Sequence, residues 1–149
     1  VGAGLLEGAL SVAVMMPVPL AYYSPIVGGL PGAAKLGMEP TYYWDALDAD
    51  ALAWLRDNTA PGRTIQFATG PTSWFYLRRT GALPQKLARR DPGQPQWYVV
   101  QNRPGAMHPW DPILIARVKP SHVVTKLGVP LVWVFPYEAA EQAMREAPR

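Results

Sequence analysis

The sequence predicts an α/β domain in which a small mixed sheet is flanked by helices, ends in a β-hairpin and is preceded by an apolar helix, which we interpret as a membrane helix. Short apolar runs typical of strands alternate with helical stripes along most of the chain. An alternating run around Gly128 indicates the terminal hairpin. The length of 149 residues suits one domain with a substantial core.

The chain begins with a glycine-containing apolar stretch in which Glu7 is the only charge. The sequence of this stretch is VGAGLLEGALSVAVMM. It is shorter than the ~20 residues that a membrane crossing needs. We therefore interpret it as the far end of a spanning helix, which Pro17 and Pro19 terminate.

An aromatic pair, Tyr22 and Tyr23, follows this helix where such residues lie among lipid headgroups. Charged residues become regular only after the following segment. The composition thus divides the chain into a membrane-helix end with its interface segment (1–23), a connecting segment (24–44) and an extracytoplasmic α/β domain (45–149).

Three other interpretations of the opening stretch remain. Gly2, Gly4 and Gly8 loosely match a dinucleotide-binding loop, but that loop follows a strand, and Glu7 stands in place of its third glycine. A second interpretation is a secretory signal, which would carry a basic region and a small-residue cleavage site; neither is clear in this stretch. The third interpretation is a buried core helix, because apolar runs of this length are often buried.

The first helix after the boundary has clear start and stop signals. Asp48 is a good N-cap, a stripe of Ala51, Leu52 and Leu55 has helical spacing, and Pro61-Gly62 follows. These residues predict an amphipathic helix packed on the core.

The middle of the chain predicts a strand, a short helix and a loop. The apolar run 64–69 is typical of a buried strand. Thr72 or Ser73 can begin a helix that Gly81 ends. Residues 84–95 form a basic loop that contains prolines.

The last third predicts four elements. A strand covers 96–102, and a helix begins at an Asp111 cap with Pro112 at its first position. The alternating run 121–136 predicts the hairpin, and 137–147 predicts a closing helix.

Composition excludes several classes of site. The chain has no cysteine, which rules out disulfides, thiolate zinc ligands and a cysteine nucleophile within it. The net charge of +3 fits an anionic membrane surface or a phosphate-bearing ligand. It is weaker than the basic face of a nucleic-acid-binding protein, so we expect no nucleic-acid partner.

The sequence contains no convincing catalytic or metal-binding set. The only histidines, His108 and His122, are too few for a metal cluster, and we expect His122 at a surface or an edge strand. Ser73, His108 and Asp111 are the residue types of a hydrolytic triad, but no nucleophile elbow surrounds the serine. Helix capping accounts for Ser73 and Asp111 more simply. We therefore predict no catalytic residue and no metal in this chain.

The best candidates for external contact are a basic cluster and two aromatic residues. Guanidinium groups match phosphate oxygens, so the cluster can bind anionic headgroups or a carrier phosphate, although a solvated loop remains the alternative. Trp97 and Trp110 lie nearest to loops and are candidates for a sugar-stacking surface, with core packing as the alternative. The basic cluster consists of Arg78, Arg79, Lys86, Arg89 and Arg90.

The stretch from Met16 to Asp45 resembles a segment of bacterial multispanning glycosyltransferases related to protein O-mannosyltransferases and the lipid A aminoarabinose transferase. In this group the last membrane helix leads into a His-Pro-Tyr-x-Leu-x-Tyr-Tyr-Asn-like phrase, a Gly-Gly turn and an aromatic phrase ending in Trp and an acid. The matching residues are Pro17, Leu20, Tyr22, Tyr23, Gly28, Gly29, Tyr43, Trp44 and Asp45. The departures are Met16, Val18 and Ser24, which replace His, Tyr and Asn. The resemblance continues through residues 51–62 and extends weakly into the terminal hairpin.

The resemblance implies that this chain is part of a membrane enzyme. Such an enzyme transfers sugar from a polyprenyl-phosphate carrier to an acceptor outside the cytoplasmic membrane. Its catalytic acid would lie in an early external loop, upstream of this region, so this chain would support the enzyme or recognise the acceptor. The implied partners are membrane lipid, the upstream transmembrane region and a glycan or protein acceptor. The alternative is a non-enzymatic α/β binding module, either membrane-anchored or soluble.

Overall fold

The computed structural model describes residues 8, 10, 11, 13–41, 46–69, 77, 79–83 and 94–147. The described residues between 8 and 15 are helical. The main elements that follow are α1 (Gly29–Lys35), α2 (Ala49–Asn58), β1 (Thr64–Phe67), β2 (Pro95–Gln101), α3 (Asp111–Arg117), β3 (His122–Lys126), β4 (Val129–Pro136) and α4 (Tyr137–Glu146).

The four strands form one mixed sheet in the order β1-β2-β4-β3. β1 runs parallel to β2, whereas β2 pairs with β4, and β3 with β4, in antiparallel fashion. The predicted α/β class, the mixed sheet and the C-terminal hairpin are therefore confirmed. β1 and β3 form the edges of the sheet.

Helices cover both faces of the sheet. Successive strand residues point to opposite faces, so Val99 and Val134 pack on one face and Tyr98 and Phe135 on the other. The first face carries the N-terminal segment, α1 and α2. The second carries α3 and α4, whose Leu114, Ala140 and Ala143 are buried there.

The N-terminal segment contributes to the first core. Met15, Val18 and Ala21 are buried there together with Val129 and Leu131 of β4. Among the described residues, no helix has the length and apolar content of a membrane span.

The terminal hairpin contains an irregularity that changes which side chains are buried. Val124 pairs with Val132, but Thr125 pairs with Pro130, so Leu131 is an extra residue on β4. A bulge of this kind lets Leu131 and Val132 face the same core although they are consecutive. Pro130 is tolerated in a central strand because it lies at this irregularity.

The helix signals in the sequence have two outcomes. The Asp48 carboxylate accepts a hydrogen bond from Ala51 N at 2.9 Å, and Ala51, Leu52 and Leu55 are buried as predicted. The prediction that Asp111 caps its helix is wrong: Trp110 occupies the cap position, and Asp111 is the first helical residue. Its side chain is engaged by groups outside the helix, as described below.

Candidate functional site

A polar cluster lies at the end of the sheet where the parallel strands β1 and β2 finish. In α/β sheets this carboxyl end is where ligands commonly bind. Tyr98 of β2 bonds to Trp110 and Asp111, which follow β2 in the chain. His108, also after β2, bonds to Asp111 and to Ala68, which follows β1. The sheet therefore brings together residues up to 43 positions apart in sequence, from Ala68 to Asp111.

Asp111 is the centre of this cluster and is fully buried. Its Oδ1 accepts a hydrogen bond from the Tyr98 hydroxyl at 2.9 Å, and its Oδ2 accepts one from His108 N at 2.7 Å. Burial raises the pKa of the Asp111 carboxyl above its usual range, and the two hydrogen bonds oppose that rise. Each carboxyl oxygen thus has a protein partner.

The Tyr98 hydroxyl is also fully used. It donates to Asp111 and accepts a hydrogen bond from Trp110 Nε1 at 3.0 Å. Burial is the main cause that raises the pKa of Tyr98, so the phenol stays protonated as a donor. The chain Trp110–Tyr98–Asp111 therefore has a fixed direction of donation.

His108 connects the cluster to the end of β1. Its Nε2 lies 2.6 Å from Ala68 O, and because a carbonyl only accepts, Nε2 carries the hydrogen. The imidazole stacks on Trp110 with ring centroids 4.5 Å apart and planes 13° apart. Thr69 Oγ1 also donates to Ala106 O at 3.0 Å, which joins the two loops a second time. Both rings of the stacked pair are half-buried, so part of this aromatic surface is open to solvent.

The hydrolytic triad hypothesis does not fit the described geometry. The Asp111 carboxylate binds the backbone N–H of His108, whereas the imidazole of His108 binds Ala68 O. A triad needs the carboxylate to orient the imidazole itself. Ser73 lies outside the described residues.

The basic cluster falls mostly outside the described residues, which include only Arg79 of its five members. Arg79 is exposed and lies in the helical turn before Gly81. Gly81 has φ 74°, the left-handed conformation expected of a residue that ends a helix. Phosphate or headgroup contact by Arg78, Arg79, Lys86, Arg89 and Arg90 stays a prediction.

The two tyrosines predicted at the membrane interface differ in their surroundings. Tyr22 is exposed, whereas Tyr23 is half-buried against the first core. The Tyr23 hydroxyl donates to Glu39 O. Glu39 in turn accepts from Arg103 Nε at 3.1 Å and from Gly105 N at 3.0 Å. Tyr23 and Glu39 thus join the N-terminal segment to the loop after β2.

A second aromatic cluster occupies the opposite end of β2. Trp54 of α2 lies 5.1 Å from Trp97 and stacks on His122 at 4.9 Å, measured between ring centroids. Trp97 Nε1 donates to Asn58 O at 3.3 Å. Burial lowers the pKa of His122, and the Asp48 carboxylate acts in the opposite direction. His122 lies on an edge strand as predicted, but it packs against α2.

Exposed apolar side chains are concentrated near the N-terminal end of the described chain. Eight large hydrophobic residues are exposed among the described residues, and seven of them lie between residues 10 and 38. The eighth is Leu127, at the tip of the hairpin. The seven are Leu10, Val14, Met16, Tyr22, Ile26, Leu36 and Met38.

Fold and site together define an α/β domain with an internally bonded polar cluster at the carboxyl end of its parallel strands. Within the described ranges, no group of three or more His, Cys, Asp or Glu side chains could hold a metal ion. Comparison with protein-family models, with curated proteins and with solved structures finds no match to this chain.

Proposed function

We propose that this chain is the C-terminal extracytoplasmic domain of a membrane glycosyltransferase that uses a polyprenyl-phosphate sugar donor. Its role there is to support the membrane region or to recognise the acceptor. The observation that carries the proposal is the concentration of exposed apolar side chains between residues 10 and 38. Large apolar side chains left exposed in one segment are typical of a membrane or protein contact when they form a patch.

The helical segment at the start of the described chain supports a membrane placement. Its inner side contributes the buried Met15 to the core, whereas Leu10 and Val14 are 58% and 54% exposed. Leu10 and Val14 are four residues apart and therefore lie on the same face. A surface helix of a water-soluble protein carries polar residues on its outer face. An apolar outer face instead fits a lipid or transmembrane environment.

The segment after this helix supports a rigid connection between the helix and the α/β domain. Gly28 and Gly29 both have positive φ, 80° and 63°, a backbone shape that other residues adopt only with strain. A side chain at Gly32 would collide with Val27 O, since a Cβ there would lie 1.8 Å from it. The Gly-Gly turn of the resemblance therefore has a physical requirement, and α1 folds back with Leu30 and Ala33 buried.

The polar cluster supports a role outside the chemical step. A general acid or base must reach a proton on the substrate. Asp111 and Tyr98 are fully buried and bonded to each other, to Trp110 and to His108. Their arrangement holds the end of the sheet in place, so we assign the sugar transfer to the upstream part of the enzyme.

The direct test is the intact mass and N-terminal sequence of the native product in membranes of the source cell. A product several times heavier, with upstream hydrophobic spans and an acidic residue in its first external loop, is the expected result. A product that starts at or just before Val1 would overturn the transferase proposal and leave the binding module.

A second test addresses headgroup contact by the basic cluster. A fourfold reversal to Glu should weaken binding to anionic liposomes in a sedimentation assay, since each cation near the surface contributes about 1 kcal/mol. The reversed residues are Arg78, Arg79, Arg89 and Arg90.

The matched control changes the net charge equally at exposed residues elsewhere. It reverses Arg56, Arg117, Lys119 and Arg145, all of which are exposed. Equal binding by the first variant and the unmodified protein, or equal loss in both variants, would remove the headgroup hypothesis.

A non-enzymatic binding module is the second candidate, and the stacked His108–Trp110 pair favours it. The pair is partly open at the carboxyl end of the parallel strands, where a planar or sugar ring could stack. The test is an NMR titration with oligosaccharides, in which the Trp110 indole signal is identified by its loss in Trp110→Phe. A shift of that signal supports a glycan-binding module, and unchanged indole signals argue against it.

A further inference from the structure

The tip of the terminal hairpin carries a residue that its backbone does not favour. Leu127 and Gly128 have φ 50° and 79° and form the two-residue turn between Lys126 and Val129. Positive φ at both central positions defines a type I′ turn, in which Asn, Asp or Gly is the usual first residue. Leucine is strained in this conformation.

Packing within the described part of the chain does not offset this strain. The Leu127 side chain is 50% exposed, and Gly128 beside it is also exposed. A polar residue at this position would relieve the backbone and suit water. The observation to be explained is therefore a leucine that is exposed and lies on a strained backbone.

The β3–β4 turn lies close to Met16, which follows the N-terminal helical segment. Lys126 Nζ donates a hydrogen bond to Met16 O at 2.6 Å, which holds the turn against the end of that segment. Met16 is 55% exposed. Leu127 directly follows Lys126 in the chain, so two exposed apolar residues, Leu127 and Met16, flank this hydrogen bond.

Charged residues are few in the N-terminal part of the sequence. Residues 1–41 carry Glu7, Lys35 and Glu39, and Glu39 is paired with Arg103. Lys126 adds a second cation, close to Met16. Its ammonium has three donor hydrogens, of which Met16 O takes one, so it can also bind a lipid phosphate.

We infer that the β3–β4 turn is a second membrane contact, in which Leu127 enters the bilayer interface beside the outer face of the helical segment and Lys126 lies at headgroup level. This inference rests on the membrane placement proposed above. The inference adds that the end of the sheet at the β3–β4 turn faces the bilayer. Two contacts with the membrane, one at the helical segment and one at the turn, would fix the orientation of the domain.

The absence of cysteine in the sequence makes a labelling experiment clean. Single cysteines at Leu10, Leu127 and Gln142 carry a polarity-sensitive fluorophore, and vesicles of phosphatidylcholine with phosphatidylglycerol are added. Gln142 is exposed on α4, on the opposite face of the sheet, and is the control. The expected result is a blue shift at positions 10 and 127 and none at position 142.

Each other outcome has a definite meaning. A shift at 10 but not at 127 overturns the hairpin contact and leaves the proposed function standing. No shift at either position overturns both. A shift at 127 without vesicles that grows with protein concentration assigns the surface to a second copy of the chain, which also overturns the inference.

A substitution separates membrane contact from folding. Leu127→Asn gives the turn its preferred residue, so it should raise Tm in solution, while vesicle partition falls about tenfold because the leucine no longer enters the interface. Thr125→Asn, at an exposed position on β3 beside the turn, is the control and should leave partition unchanged. Unchanged partition of Leu127→Asn would overturn the inference.

Discussion

The bonded chain from Trp110 through Tyr98 to Asp111 makes a quantitative prediction for Tyr98→Phe. The substitution removes one oxygen atom and keeps the buried ring in place. It leaves Asp111 Oδ1 and Trp110 Nε1 without the partners that they have at 2.9 Å and 3.0 Å. Because Asp111 has no exposed surface, water cannot readily replace the lost donor.

The expected loss in the free energy of unfolding follows from these two bonds. A hydrogen bond to a charged group contributes about 1.5–3 kcal/mol, and one between neutral groups about 0.5–1.5 kcal/mol. We therefore expect Tyr98→Phe to destabilise the protein by about 3 kcal/mol at neutral pH.

The loss should depend on pH in a definite direction. The pKa of Asp111 is raised by burial, so the folded state binds this proton more readily than the unfolded chain does. The stability that Asp111 contributes is therefore complete below its unfolded pKa of about 3.9 and is lost as pH rises through the folded value. Removing the Tyr98 donor raises the folded pKa further. The cost of Tyr98→Phe should then be larger near pH ~7 than near pH ~4.

Urea denaturation of both proteins at the two pH values measures this difference. Contributions from other titrating groups cancel, because both proteins share them. In an Asp111→Asn background, the cost of Tyr98→Phe should no longer change with pH. A loss below about 1 kcal/mol, or one that is equal at both pH values in the Asp111 protein, would refute the reasoning.

Three further predictions concern stability and use the same measurement. Gly32→Ala should lower the free energy of unfolding by more than about 2 kcal/mol, although alanine is the better helix former, because its Cβ would lie 1.8 Å from Val27 O. The control Gly8→Ala meets nothing within 4 Å and should leave stability unchanged, so equal losses in both variants would contradict this close approach. Asp48→Ala should lower the free energy of unfolding by about 1 kcal/mol, because it removes the N-cap of α2. Asp48→Asn keeps a capping oxygen and should lose less, so equal losses in the two variants would argue against capping. The lowered pKa of His122 means that the folded state binds fewer protons than the unfolded chain, so the stability that His122 contributes is lost as pH falls below about 6.5. His122→Asn should therefore reduce the change of unfolding free energy with pH in this range, and an unchanged pH dependence would exclude His122 as its cause.

Local signals in the sequence were reliable where a few neighbouring residues determine the structure. The Asp48 cap and the buried stripe of α2 depend on contacts within one or two helical turns. The hairpin was predictable because alternation and Gly128 lie within the run that forms it. The strand predicted for 64–69 ends at Phe67, and Thr69 lies beyond it, where its Oγ1 donates to Ala106 O.

Long-range partners were not predictable from the sequence. Asp111 precedes a proline at the start of a helix, and an ordinary N-cap residue has the same sequence context. Nothing near Asp111 in sequence indicates that the Tyr98 hydroxyl donates a hydrogen bond to its carboxylate. A usable signal was the tyrosine itself, because a hydroxyl in a buried strand needs a partner. The parallel pairing of β1 with β2 and the extra residue Leu131 in β4 likewise depend on register, which side-chain alternation alone does not define.

The packing of the N-terminal segment has a practical consequence for anyone who wishes to produce this domain by itself. Met15, Val18, Ala21 and Leu30 fill the same core as β4, so a truncated protein starting at the predicted domain boundary of residue 45 would keep α2 but expose the part of this sheet face that these residues cover. Such a fragment should aggregate, because the exposed face is apolar. Soluble production is better pursued by keeping these inward residues and replacing the outward Leu10 and Val14 with polar ones.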